Sequence, residues 1–135
     1  MTGASSGIGA AVVERLSKEG LKVHALARSA GKLADLAART GCVPHAVDVS
    51  DVAGITRLAQ EVEFDVLVNN AGVDRPGSIL KADAEGIDLL VDVNLRAVLH
   101  LCRLVVPGMD ARDRGHVINI SSIAGAYNFG GNSTY

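Results

Sequence analysis

Cysteine is scarce in this chain of 135 residues, which has two, Cys42 and Cys102. They lie far apart, and neither belongs to a C-x-x-C or related spacing, so a thiolate zinc site and a disulfide framework are both excluded. Two buried small hydrophobes in a reducing cytoplasm are expected instead. Long apolar runs are missing too. No stretch is long enough to span a bilayer, and no signal-peptide pattern opens the sequence. Charge of one sign is also lacking. The net charge is −2, from 13 basic and 15 acidic residues, and the signs are interspersed. Without a basic stripe, nucleic acid is not an expected partner. His24, His45, His100 and His116 show no metal-ligand spacing, and no metal is expected.

What is present suits a packed core. Apolar residues make up 48% of the chain and charged residues 21%, and the length is that of one domain. Apolar segments of helical period alternate with short apolar runs. Ile8, Val12 and Leu16 repeat every fourth position before Gly20, which predicts a helix and its stop. A buried strand is predicted from Leu21 to Ala27, then a helix marked by Leu33, Leu36 and Ala37. The run from Cys42 to Val49 reads as a strand at a sheet edge, because Pro44 lacks a ladder donor. Ile55, Leu58, Ala59 and Val62 mark the next helix, with Asp51 as its N-cap. Phe64 to Val68 has the continuous apolar character of a strand covered on both faces. A long helical stretch from Asp83 to Met109, bent or broken near Asn94, leads to a strand from His116 to Ile120. The glycine- and serine-rich tail is expected to be loop.

This alternation predicts an α/β fold, a doubly wound parallel sheet with helices on both faces, because parallel strands need crossovers and helices supply them. Between Leu95 and Val106 only Arg96, His100 and Arg103 are strongly polar, and they share one narrow face. The sheet can cover one side of such a helix. The other side needs a second partner, for which a subunit interface is the natural candidate.

The segment Thr2-Gly3-Ala4-Ser5-Ser6-Gly7-Ile8-Gly9 stands directly before the first helix. Glycines there let a diphosphate approach free N–H groups at a helix N-terminus, where partial positive charge converges. The spacing is G-x-x-x-G-x-G, not the G-x-G-x-x-G of the common dinucleotide fingerprint. Further on stand Asn69-Asn70-Ala71-Gly72 after a predicted strand, Asn94 within Val93-Asn94-Leu95, and Ser122, with Tyr135 thirteen residues later. In this order the motifs resemble those of the short-chain dehydrogenase/reductase family.

The resemblance implies a Rossmann-like fold, a nicotinamide dinucleotide and hydride transfer to or from a carbonyl or secondary alcohol. Gly3, Ser5, Ser6, Gly7, Ile8 and Gly9 would cradle the diphosphate. Asp48 would hydrogen-bond the adenine edge, with Val49 near the ring, and Asn70, Ala71 and Gly72 would pass close to a ribose. Where an acidic residue would read the 2′-hydroxyl of NAD, the sequence has Ala27 followed by Arg28, with Lys32 nearby. A guanidinium there can pair with a 2′-phosphate, so NADP is expected ahead of NAD.

Ser122 would donate a hydrogen bond to the carbonyl oxygen as charge grows on it, and Tyr135 would give or take the proton. A free phenol has a pKa of about 10, so its phenolate costs roughly 4 kcal/mol at pH 7. The family lowers that cost with a lysine four residues after the tyrosine, held through a water relay to which Asn94 would contribute. The sequence reaches only Tyr135, and in the family a central strand precedes the glycine loop. A piece of a longer protein, or a start placed late, is therefore expected, with a gap in the middle of the sheet. The chain alone is expected to show no turnover. The stretches Pro107-Gly108-Met109, Gly115 to Ile120 and Gly130-Gly131-Asn132 resemble the bacterial NADP-dependent 3-hydroxy acid (serine or allo-threonine) dehydrogenases within the family. A homodimer or homotetramer is expected of the full-length parent. A non-catalytic nucleotide-binding module and an inactive gene remnant are the competing readings.

Overall fold

The computed structural model describes residues 1–127. Helix α1 (Gly7–Lys18) is followed by strand β1 (His24–Ala27), α2 (Ala30–Thr40), β2 (Val43–Ala46), α3 (Val52–Glu61) and β3 (Val66–Asn69). A 3₁₀ turn at Ile79–Lys81 precedes α4 (Ala84–Val91), a π-helical segment (Asp92–Arg96), α5 (Ala97–Ala111), β4 (His116–Asn119) and a final 3₁₀ turn at Ile123–Gly125. The strands form two parallel pairs, β1 with β2 and β3 with β4.

Between the pairs runs the dipeptide Met1-Thr2. Leu26 N–H donates to the Met1 carbonyl at 2.9 Å, and Thr2 N–H donates to the Val68 carbonyl at 3.0 Å. Thr2 also forms a parallel bridge with Leu26. Neighbouring strands lie about 4.8 Å apart, so contacts on both flanks fix the space between β1 and β3 at the width of one strand. Met1 and Thr2 occupy this space alongside β1, and the Met1 amine also donates to the His24 carbonyl at 2.9 Å.

Side-chain alternation along β1 shows that both faces are covered. Leu26 joins a cluster with Ile55 and Leu58 of α3, Leu67 of β3, and Leu101 and Val105 of α5. Its neighbours Ala25 and Ala27 join the opposite cluster, with Val13 of α1 and Leu33 and Leu36 of α2. Period-2 strands between 3.6-period helices produce this two-sided core. Strand β4 is the exception, with all four residues exposed.

The structure shifts several sequence expectations. β1 begins at His24 rather than Leu21, because α1 ends in a turn: Gly20 has φ of +82° and Leu21 N–H reaches back to the Leu16 carbonyl at 3.2 Å. Leu21 is left 48% exposed. β2 is shorter than the expected run. Val43 and Val47 donate to Val23 and Ala27 of the β1 segment. Pro44, between them in the alternation, turns its missing donor to the open edge, as an edge strand requires. The buried stripe of α1 contains Gly9 and Val13, whereas Ile8 is 63% exposed. The helical stretch is not broken at Asn94. It widens by one residue, Ala97 N–H bonding to the Asp92 carbonyl, and continues through Pro107 to Ala111. No helix among the described residues is long and apolar enough to cross a membrane.

Candidate functional site

Parallel strands bring their C-terminal ends to one edge, and there the motifs converge. Helix α1 opens on that edge without a cap. Ser6 occupies the N-cap position but its side chain makes no capping hydrogen bond, and the first turn carries no acidic residue. The leading N–H groups of α1 therefore face outward with the positive end of the helix dipole behind them. The loop leading in is tightly folded. Gly3 has φ of +64°, and a Cβ there would lie 2.8 Å from Asn70 Nδ2 and 2.9 Å from Ala71 Cα. A Cβ on Gly9 would collide with the Gly3 carbonyl.

A cleft of about 490 Å³ runs along this edge. Its walls include Gly3, Ser5, Ser6, Ile8, Gly9, Arg28, Asp48, Val49, Asn70, Ala71 and Gly72. Of the cofactor-binding residues read from the sequence, Gly7 alone is not part of the wall. Its contribution is conformational, a φ of +53° at the loop–helix junction. Ile8, read from the sequence both as part of the helical repeat and as a cofactor-binding candidate, is 63% exposed and lines the cleft.

Two cations, Arg28 and Lys32, line the end of the cleft beside β1. Between them Ser29 caps α2, its side chain accepting from Lys32 N–H at 3.5 Å. Asp48 follows β2. One of its oxygens accepts from the Ser50 N–H at 2.9 Å and the Ser50 hydroxyl at 2.7 Å. The other carboxylate oxygen is free to meet an amino group in the cleft.

The floor is held by a residue to which the sequence reading gave no role. Thr2 is 3% exposed. Its Oγ1 accepts from the N–H groups of Asn70 at 2.9 Å and Ala71 at 3.0 Å. Asn70 answers through Nδ2, donating to the Thr2 carbonyl at 3.0 Å and the Gly3 carbonyl at 3.4 Å. The glycine loop and the end of β3 are thereby locked as one surface. Val47, Val73 and Val93, also missed, line the wall as well, beside Ala27. Small apolar residues beside a motif carry no signal of their own.

Asn94 lies in the π-helical segment and grips the loop after Gly72. Its Oδ1 accepts from Val73 N–H and its Nδ2 donates to the Val73 carbonyl, each at 2.9 Å. Ser122 sits beyond β4, on the same edge of the sheet as the glycine loop because β3 and β4 run parallel. Its Oγ accepts from Ala124 N–H at 3.1 Å, so the hydroxyl proton is available to another acceptor. Tyr135, the remaining expected catalytic residue, lies outside the described residues, as does Phe129. Tyr127 is 64% exposed. No cluster of metal-ligating side chains occurs among the described residues.

The site fits a dinucleotide. It offers uncapped helix N–H groups, glycine positions that a Cβ would fill, a cationic end, and a length of cleft from Arg28 to Gly72. Its chemistry resides in hydrogen-bond donors and shape.

Comparison with known proteins agrees. The family model for short chain dehydrogenase matches residues 1–135. An NADP-dependent 3-hydroxy acid dehydrogenase of Salmonella typhi is 35% identical, over 100% of this chain and 58% of that protein. A short-chain type dehydrogenase/reductase of Sinorhizobium fredii is 40% identical, over 93% and 51%. Among solved structures, serine dehydrogenase from Escherichia coli superimposes with a TM-score of 0.94 at 32% identity, covering 99% of this chain and 66% of that one. A metagenomic short-chain oxidoreductase in complex with NADP gives 0.92 at 39% identity, covering 99% and 66%. The chain thus spans only part of each relative, 51% to 58% of the two curated proteins. With its motifs, its fold and these relatives in agreement, the chain belongs to the short-chain dehydrogenase family.

Proposed function

We propose that the chain is the cofactor-binding part of an NADP-dependent oxidoreductase that interconverts a carbonyl and a secondary alcohol. The observation that carries this reading is the uncapped N-terminus of α1 opening on a glycine-lined cleft with Arg28 and Lys32 at its far end. The amides of Ile8 and Gly9 hold the diphosphate, with Gly7 setting the turn that presents them, and Arg28, with Lys32, pairs with the 2′-phosphate. The free oxygen of Asp48 takes the adenine amino group, and Ala71 and Gly72 let the ribose lie against the chain. NADP, when bound, supplies or accepts the hydride.

The chain's own groups handle the charge and the proton. Ser122 keeps its hydroxyl proton for the substrate oxygen, since its Oγ already accepts from Ala124 N–H. Tyr135 gives up or takes the proton in this reading. Asn94 fixes the loop at Val73, and so the wall opposite α1. Its amide keeps a second proton and a second lone pair for a water leading to a lysine beyond Tyr135. Two relatives named for 3-hydroxy acid and serine oxidation favour a small hydroxy acid as substrate.

Leu95 and Leu99, 55% and 61% exposed along the π segment and α5, support a homodimer or homotetramer of the full-length protein through that face. The two free cysteines favour a reducing, cytoplasmic setting for the enzyme.

Titration of purified 1–135 with NADPH and with NADH, followed by cofactor fluorescence, tests the binding. NADPH is expected to bind more tightly. Equal affinity, or preference for NADH, removes the role given to Arg28. No turnover is expected from 1–135 itself, and NADPH oxidation by the sequence-verified chain would contradict that part.

A further inference from the structure

At the end of β3 and β4 the polarity of one face of the sheet changes. Leu67 and Val117 are register partners, and the next pair on the same face is Asn69 and Asn119. Asn69 Nδ2 donates to Asn119 Oδ1 at 2.9 Å and contacts Cys102 Sγ of α5 at 3.7 Å. Asn69 is 3% exposed, and its Oδ1 is buried without a hydrogen-bond partner. Turning both amides over restores the Asn–Asn bond but leaves an amide nitrogen unmet in place of the oxygen. Either orientation leaves one buried polar group unsatisfied, which is destabilising. The Leu67–Val117 pair shows that apolar side chains hold these strands without that penalty.

What the amide pair adds is direction. An apolar contact tolerates sliding, whereas a single hydrogen bond between two short side chains admits one spacing and one register. The position matters because the strands part immediately afterwards. Ile120 N–H makes a last ladder bond to the Asn69 carbonyl at 2.8 Å. Beyond it Asn70 turns to Thr2 and Gly3, and the other chain runs through Ser121 to Ser122. The cofactor wall thus starts one residue after Asn69, and the hydroxyl proposed to meet the substrate lies three residues after Asn119.

We infer that the Asn69–Asn119 side-chain bond is a register lock that sets where Ser122 stands relative to the cofactor wall, with Asn119 as a positioning residue. The inference rests on the proposed NADP-dependent reading for its consequence, but the lock itself is a property of the two strands. Asn119→Leu removes the acceptor. Asn119→Asp keeps an acceptor oxygen at the same reach.

The test is NADP⁺ titration of 1–135 followed by backbone amide shifts. In the wild-type chain both the glycine loop and Ser122 respond. In Asn119→Leu the glycine-loop response persists, with affinity within about twofold, and the Ser122 response is lost. Asn119→Asp restores it. A Ser122 response in Asn119→Leu equal to wild type overturns the inference, as does failure of Asn119→Asp to restore it. Hydrogen exchange at Leu67 reports whether β3 is intact; if Asn119→Leu loses that protection, Asn119→Ala takes its place, with the same outcomes. If the wild-type glycine loop shows no response, the cofactor reading fails, and the lock is judged by exchange at the Ile120 amide, which bonds to the Asn69 carbonyl, without ligand. Exchange about tenfold faster in the leucine variant supports the lock, and equal exchange overturns it.

Discussion

The two edges of the sheet use their polar groups in opposite ways. At the edge where the strands begin, the groups pair with one another. Arg114 meets Asp65 at 2.6 Å and Arg112 reaches the Phe64 carbonyl at 3.0 Å. His24 Nδ1 and His45 Nε2 lie 2.9 Å apart and share a hydrogen bond, with Phe64 edge-on to His24 at a centroid distance of 5.5 Å. The Met1 ammonium donates to the His24 carbonyl at 2.9 Å. At the edge where the strands end, α1 has no cap, Asp48 has one oxygen free, and Ser122 has a proton to give. The first edge closes a fold, and the second holds groups ready for a ligand. Among the described residues, His24, His45, the Met1 amine and Asp65 have displaced pKa values at the first edge, where their partners belong to the packing of the fold.

The largest effect is expected from Gly9→Val, which forces a side chain into the Gly3 carbonyl. NADPH binding should be lost, and overpacking should remove about 1–3 kcal/mol of stability, visible as a lowered denaturant midpoint. Thr2→Val comes next. The shape is kept, but the N–H groups of Asn70 and Ala71 lose their acceptor, at about 1–3 kcal/mol for each one left buried and unmet. Thermal unfolding and NADPH affinity should both fall, and an unchanged affinity would separate the floor of the cleft from binding. Arg28→Ala should leave NADH binding alone and weaken NADPH about 10- to 100-fold, the range of a charge-assisted hydrogen bond. Competition between the two cofactors reads this directly.

A smaller effect is expected from pH, and it belongs to the opposite edge. Burial, then the mutual repulsion of the two imidazoles, with Lys22 and the Met1 amine adding to it, holds His24 below its ordinary 6.5. Burial first, then the Met1 amine, lowers His45, opposed by Glu61. Burial also lowers the Met1 amine, to about 6 from 8.0. Each group's pKa is lower folded than unfolded, so each contributes stability above its ordinary value and loses it as pH falls toward the folded value. The urea midpoint should therefore drop from pH 8 to below pH 6.5, while NADPH affinity changes little over the part of that range where the chain stays folded. His45→Gln should flatten the lower part of the decline. Arg114→Ala is expected to do least. Its bond holds the Asp65 carboxyl below the usual carboxylate range, but the pair is exposed, and the melting temperature should not measurably move.

The ligand edge was the more legible of the two in the sequence. Gly3, Gly7 and Gly9 stand at fixed spacing before a helix, and the family resemblance pointed to Asp48 and Asn70-Ala71-Gly72, each directly after an apolar run. Asn94 was legible as a site of helix distortion, because an otherwise continuous apolar pattern passes through it. Thr2 was not, since a hydroxyl bonding across 68 and 69 residues leaves no local trace. The four-residue repeat of Ile8, Val12 and Leu16 located α1 but not its buried stripe, because packing selects Gly9 and Val13, one position on, where the helix can approach the glycine loop. The His24–His45 pair escaped for the same reason as Thr2. Its members stand on adjacent strands, and only register brings them together.

The account turns on where the dinucleotide lies, and a crystal structure of 1–135 grown with NADPH measures that directly. The diphosphate should accept hydrogen bonds from the amides at the start of α1, near Gly7, Ile8 and Gly9, with the 2′-phosphate on Arg28. A cofactor bound elsewhere on the chain, or with its adenosine at the Gly72 end of the cleft, would contradict it.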